Sequence, residues 1–179
     1  MGAKEQGADP QSVATRWQVV PRTLCFVTHD DDILLLKRSE TKRIYPGYYN
    51  GLGGHIERDE DPLTGAIREI HEETGLAVQN VHYCGSTHID AGQDVGILLF
   101  IFVAEATSRD FHDCDEGTLE WIPLQRVLDN GADGDLLLVE DLPIILPRLF
   151  SNDGEEIPFF GHVSYDDDDK LQFRIAENP

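Results

Sequence analysis

Four charged residues in close succession, Arg68, Glu69, Glu72 and Glu73, have the types and spacing that metal-assisted chemistry requires. If they lie on a helix, a rotation of about 100 degrees per residue gathers the three glutamates within an arc of roughly 100 degrees. Carboxylates three and four positions apart repel one another. Near a helix C-terminus the macrodipole disfavours each by a few tenths to about 1 kcal/mol. A solvated acidic face is one way to tolerate this arrangement. A hard divalent cation such as magnesium is the other, because it takes oxygen ligands and converts the repulsion into coordination.

The flanking residues predict the element that carries these groups. Asp61 can cap free amides, Pro62 suits a first helical position and Gly75 suits a stop, so a helix is expected over 62–74 with Leu63, Ala66, Ile67 and Ile70 as its apolar face. Just upstream, Tyr49 to Ile56 holds Gly51, Gly53 and Gly54, with Gly47 close before it, which predicts a sharp turn or close approach to a ligand. Strands are expected at 23–28 and 33–36 around the turn 29–32, then a loop over 37–47. Further strands are expected at 76–83, 95–106 and 118–122. A second helix is placed within 136–150, interrupted or restarted at Pro143 and Pro147. A closing hairpin is expected from 161–165 and 171–175 across the acidic run 166–169 and Lys170. The fold class is α/β in the broad sense, an α+β mixed sheet with helices packed on it.

From Gly54 the chain reads Gly-x5-Glu60-x7-Arg68-Glu69-Ile70-x-Glu72-Glu73-x-Gly75-Leu76. This resembles the Nudix box at every fixed position. A chance match is on the order of one in ten million, which decides against a merely solvated face. The local signals independently indicate the same strand-loop-helix setting. The resemblance covers about residues 20–175 and implies a mixed sheet sandwiched between helices. It also implies that Glu72, Glu73 and the carbonyl of Gly53 hold magnesium, with manganese as a substitute. Glu69 is implied as a further ligand or as the base that activates water, and Arg68 and Glu60 as a pair that positions the loop against the helix. Cys114 to Trp121 is similar to the segment that supplies a distant metal carboxylate in MutT-like members, which makes Glu116 the candidate.

The approach Tyr49-Asn50-Gly51-Leu52-Gly53-Gly54-His55 resembles that of members hydrolysing oxidised purine nucleoside triphosphates such as 8-oxo-dGTP. This implies that Asn50 bonds the base, an amide being both donor and acceptor. His55 stands where Lys is frequent. Glu140 and Asp141, before a Pro-rich helix and the turn Pro158-Phe159-Phe160, resemble the acidic pair of the base pocket, with Gly134-Asp135 as the alternative register. No aromatic residue adjoins that pair, where Leu136 to Val139 stand instead. The reaction implied is release of a monophosphate and pyrophosphate from a nucleoside triphosphate. Other nucleoside diphosphate derivatives, such as ADP-ribose, a sugar nucleotide or a dinucleotide polyphosphate, fit the same box. A nucleotide-sensing module is the reading from another class, but such domains usually lose box carboxylates and this chain keeps them all.

The whole composition agrees with a small anionic substrate handled through cations. With 34 acidic and 14 basic residues the formal charge is -20, which repels long nucleic acid and an anionic membrane surface alike. Bound cations would be the largest local charges in such a site. Cys25, Cys84 and Cys114 fit no disulfide framework or CxxC site and read as reduced thiols of a cytoplasmic protein. The polar start lacks a signal-peptide core, and no apolar run reaches bilayer length. Residues 1–18 are expected to form a mobile extension, and 19–179 a single domain. His71, amid the glutamates, reads as an exposed helical residue, and the remaining histidines show no metal-ligand spacing.

Overall fold

The computed structural model describes residues 13–112, 114–130, 134–150 and 158–176. The proposed extension therefore falls largely outside the described residues. The elements run β1 (Gln18–His29), β2 (Asp32–Arg38), β3 (Tyr49–Asn50), α1 (Pro62–Thr74), β4 (Val78–Ile89), β5 (Val95–Ala106), β6 (Gly117–Pro123), α2 (Leu124–Leu128), α3 (Leu142–Leu149), β7 (Phe159–Tyr165) and β8 (Leu171–Ile175). The strands form one mixed sheet in the order β3-β2-β1-β5-β4-β7-β8, with β6 paired to β2. β1 runs parallel to β5 and β4 parallel to β7, while the other pairs are antiparallel.

Alternation along the strands sends side chains to two apolar layers. On one face Cys25, Val27, Leu34, Leu36 and Leu52 pack with Ala66 and Ile70 of α1. On the other, Leu24, Phe26, Ile33 and Leu35 pack with Leu142, Ile145 and Leu146 of α3. Helices thus cover both faces, as expected of a mixed sheet within an α+β fold.

The limits of α1 are those read from its caps. Asp61 accepts from the amides of Leu63 and Thr64, and Gly75 closes the helix at φ 73, donating to the carbonyl of His71. Its apolar face differs from expectation, since Leu63 and Ile67 are 44% and 42% exposed. The buried residues are instead Gly65, Ala66, Ile70 and Thr74. At about 100 degrees per residue Glu69 and Glu73 fall inside the arc these four span and Ile67 just outside it, while Leu63 falls within it but in the exposed first turn.

Other differences have local causes. β4 starts at Val78 rather than 76 and runs six residues beyond 83, across a register shift at Gly85, where φ is 155 and a Cβ would strike the backbone of Phe159. This bulge hides the alternation that marks a strand. β1 extends back to Gln18 because β5 offers it an unbroken parallel partner. Residues 136–141 are not helical: Tyr49 donates to the carbonyl of Leu137, and Val139 donates to that of Tyr49. The helix, Leu142–Leu149, lies within 136–150 as expected. Phe159 and Phe160 start β7 instead of forming a turn. The closing hairpin is as expected, with Asp166 capping the turn by accepting from the amides of Asp168 and Lys170. The short α2 has no sequence signal beyond Pro123.

Candidate active site

The site is built where the chain after β3 lies against β1. Thr23 and Cys25 donate to the carbonyls of Gly54 and Leu52, which seats residues 52–55 beside the strand. At Gly53, φ is 127 and a Cβ would collide with the Thr23 carbonyl, so only glycine serves there. At Gly54 a Cβ would stand 2.6 Å from both carboxylate oxygens of Glu69. The missing side chain is the space in which that carboxylate rests.

Arg68 organises the acidic residues around it. Its Nε and Nη2 donate to the two oxygens of Glu60 at 3.0 and 2.6 Å, a fork-to-fork pair. Nη2 also donates to the carbonyl of His55 at 2.9 Å, and Nη1 to Glu69 and Glu72 at 3.0 and 2.8 Å. The amide of Glu57 completes Glu60 at 2.8 Å. The guanidinium beside Glu60 holds that carboxyl below its ordinary range. Arg68 and Glu60 therefore tie the loop to α1, while one oxygen each of Glu69 and Glu72 is left over.

Glu73 accepts from the amide of Gly53 at 2.9 Å. Burial pushes its pKa up to about 7; the charges of Glu69 and Glu116 add to the rise, against the Gly53 amide and Lys42. Glu116 precedes β6, its carboxylate 2.7 Å from Lys42 Nζ and its carbonyl accepting from the amide of Ser39. Burial raises the Cys114 thiol as well. The structure thus brings Gly53, Glu60, Arg68, Glu69, Glu72, Glu73 and Glu116 toward the end of the sheet where β1 begins and β2 finishes. His71 is exposed on the far side.

These donors fit a hard divalent cation. They are carboxylate oxygens and a backbone carbonyl, the cradle at Gly54 is one that a Cβ would fill, and a buried carboxylate among like charges gains most from a cation. No three His, Cys, Asp or Glu side chains among the described residues are already drawn together as a ligand set. The free oxygens of Glu69, Glu72 and Glu73 would have to turn toward the ion.

The residues expected to read a base lie across β3. The parallel bridge between Tyr49 and Leu138 runs the segment that leads into Glu140 and Asp141 beside β3. Asn50 Oδ1 accepts from the amide of Gly51 at 2.9 Å. Asp141 has one buried carboxylate oxygen with no hydrogen-bond partner, and burial raises its pKa to about 6, with Glu140 adding to the rise. Tyr45 donates to Glu140 at 2.9 Å and packs on Tyr48. Asp135, in the alternative register, pairs instead with Arg126 of α2. His55 Nε2 lies 3.0 Å from Arg22 Nη2. Sequence reasoning missed Arg22, Lys42 and Tyr45. Each stands outside any motif and arrives through strand pairing or loop course. On the opposite flank Lys37, Arg38, Ser39, Glu40, Cys114, Asp115, Gly117 and Thr118 line a cavity of about 490 Å³.

Residues 19–142 match the Nudix domain, and the chain belongs to that family. It is 30% identical over 83 residues to the m7GpppN-mRNA hydrolase NUDT17 of Xenopus laevis, covering 46% of this chain and 28% of that protein. It is 36% identical over 66 residues to the NAD-capped RNA hydrolase NudC of Pseudomonas aeruginosa, covering 37% and 23%. The chain thus spans under a third of the length of these relatives. Among solved structures, the MutT protein of Bacillus halodurans superimposes with a TM-score of 0.67 at 26% identity, covering 89% of this chain and 99% of that one. A MutT Nudix hydrolase of Burkholderia pseudomallei, at 20% identity and TM-score 0.61, shares the fold over 74% and 98%.

Proposed function

We propose that this chain is a divalent-cation-dependent pyrophosphohydrolase that cleaves a nucleoside triphosphate, 8-oxo-dGTP foremost, to a monophosphate and pyrophosphate. The observation that carries the chemistry is Glu69 and Glu73 lying over Gly53 and Gly54 while Arg68 holds Glu60, Glu69 and Glu72. Glu72, Glu73, the Gly53 carbonyl, Glu116 and, as ligand or base, Glu69 would hold magnesium or manganese. Bound there, such ions neutralise the diphosphate, polarise phosphorus and lower the pKa of a water. Glu69, held by Arg68 on one side only, has a second oxygen with which to accept the proton of that water. Arg68 and Glu60 keep the loop and α1 in register and touch no substrate.

The base reading rests on Asp141. A buried carboxyl with a raised pKa and a spare oxygen can donate to an oxidised purine while Asn50 both donates and accepts. Wrong pairing at such groups costs on the order of 1–3 kcal/mol each. The specificity constant for 8-oxo-dGTP is therefore expected to exceed that for dGTP by about tenfold or more, and Asn50→Ala to reduce that ratio with metal dependence unchanged. Equal constants, or a preference for ADP-ribose in the same panel, would retire the oxidised-nucleotide reading and leave diphosphate hydrolysis standing.

A second reading follows from the cavity beside Lys37 and Arg38, which has room for a further group linked through the diphosphate. Two relatives are named for hydrolysis at RNA 5′ ends. The formal charge of -20 favours a small nucleotide over an RNA body. As further parts of the proposal, residues 19–179 act as one domain in the cytoplasm. Among the described residues no helix is long and apolar enough to cross a membrane.

A further inference from the structure

We infer that Arg22, set in place by His55, binds a phosphate group of the nucleotide; this deepens the preceding reading and rests on it. Two cations beside the carboxylates are otherwise engaged: Arg68 by Glu60, Glu69 and Glu72, and Lys42 by Glu116. Arg22 meets no carboxylate among the described residues. Among the described residues the partner of its guanidinium is the imidazole of His55. Arginine can only donate, so His55 Nε2 is the acceptor and the ring carries its proton on Nδ1. The pair fixes the direction of the guanidinium without neutralising it. Its Nε is buried with no hydrogen-bond partner, a state that costs free energy until an acceptor arrives.

Strand register places this cation one residue along from Gly54, on the sheet face opposite α1. Arg22 bridges His55 across the same short antiparallel pairing that joins Cys25 to Leu52, so both side chains leave the sheet on the face of Leu24. Leu24 packs in the layer that includes Leu142 and Ile145, directly after Asp141. Gly51, beside Asn50, keeps that path low, since a Cβ there would stand 2.9 Å from Leu24 Cδ1. At the other end, the carbonyl of His55 bonds Arg68, which holds Glu69 and Glu72. A nucleotide with its base near Asp141 and its diphosphate at the carboxylates passes the guanidinium. A planar fork of donors suits phosphate oxygens, which carry the complementary charge.

The test compares wild type, Arg22→Gln and Arg22→Lys by calorimetric binding of GMP and of inorganic pyrophosphate at saturating magnesium, with melting temperature and steady-state kinetics alongside. Arg22→Gln should weaken at least one of the two ligands by about tenfold or more and raise KM similarly, with kcat and melting temperature little changed. Arg22→Lys should recover part of the affinity. Weakened GMP would place the contact on the nucleoside side of the cleaved bond, and weakened pyrophosphate on the leaving side. Unchanged affinity for both in Arg22→Gln overturns the inference, as does a lower melting temperature in both variants with unchanged binding, which would make Arg22 a structural partner of His55. If the wild type hydrolyses no nucleotide, the proposed function fails, while the binding comparison still decides the role of Arg22.

Discussion

Glu73→Gln should stabilise the cation-free protein at alkaline pH while removing its activity. Glu73 is ionised in water above its ordinary value of 4.5, but in the fold burial and the neighbouring Glu69 and Glu116 raise it to about 7. Because the folded value is the higher, the fold binds the proton more tightly. The penalty is absent below about pH 4.5, grows between there and about 7, and is complete above. At about 1.4 kcal/mol per pH unit this interval corresponds to about 3 kcal/mol. Gln keeps the shape and can still accept from the Gly53 amide, so the variant escapes the penalty. Denaturant melts in chelator should show it more stable than wild type by up to about 3 kcal/mol at pH 8 and nearly equal at pH 4.5. Asp141, also raised, is common to both proteins and cancels. With magnesium present, wild type should gain stability that the variant does not, and turnover of the variant should fall at least about a hundredfold. A variant no more stable at pH 8 than wild type would refute the reasoning, because Glu73 would then not be a buried charge awaiting a cation.

The other perturbations separate position from chemistry. Arg68→Ala strands Glu60, Glu69 and Glu72 around an empty centre, and since Arg68 is partly exposed the loss should be about 2 kcal/mol, read as a lower melting temperature together with lower activity. Activity lost at unchanged stability would mean that Arg68 touches substrate. Gly54→Ala puts a methyl where the Glu69 carboxylate rests, so kcat should drop about tenfold or more with the fold retained by circular dichroism; normal turnover would remove Glu69 from the chemistry.

The helix and its box were legible because both rest on local signals. Asp61, Pro62 and Gly75 mark the ends of α1 whatever it packs against, and the spacing of Glu69, Glu72 and Glu73 follows from helical geometry. Its buried face was less legible, because Leu63 and Ile67 count as apolar in any periodicity yet are exposed. The start of the second helix within 136–150 was not legible, because a leucine run has no partner in sequence and only the pairing with Tyr49 takes Leu137 to Val139 out of it. The bulge at Gly85 concealed half of β4. Within the site, Asn50 and the Glu140-Asp141 pair came from resemblance alone, and the backbone bridge near them joins Tyr49 to Leu138. Arg22, Lys42 and Tyr45 depend on contacts 33, 74 and 95 residues away in the chain, to His55, Glu116 and Glu140, which no local pattern reports.

The central claim is that these carboxylates act through a hard divalent cation on a nucleotide diphosphate. The direct measurement is hydrolysis of a panel of 8-oxo-dGTP, dGTP and ADP-ribose by the wild type, first with magnesium, then with excess chelator, then with magnesium or manganese restored. Turnover of at least one nucleotide is expected with magnesium, its disappearance in chelator and its return with either metal. Full activity in excess chelator, or no turnover of any nucleotide with either metal, would contradict it.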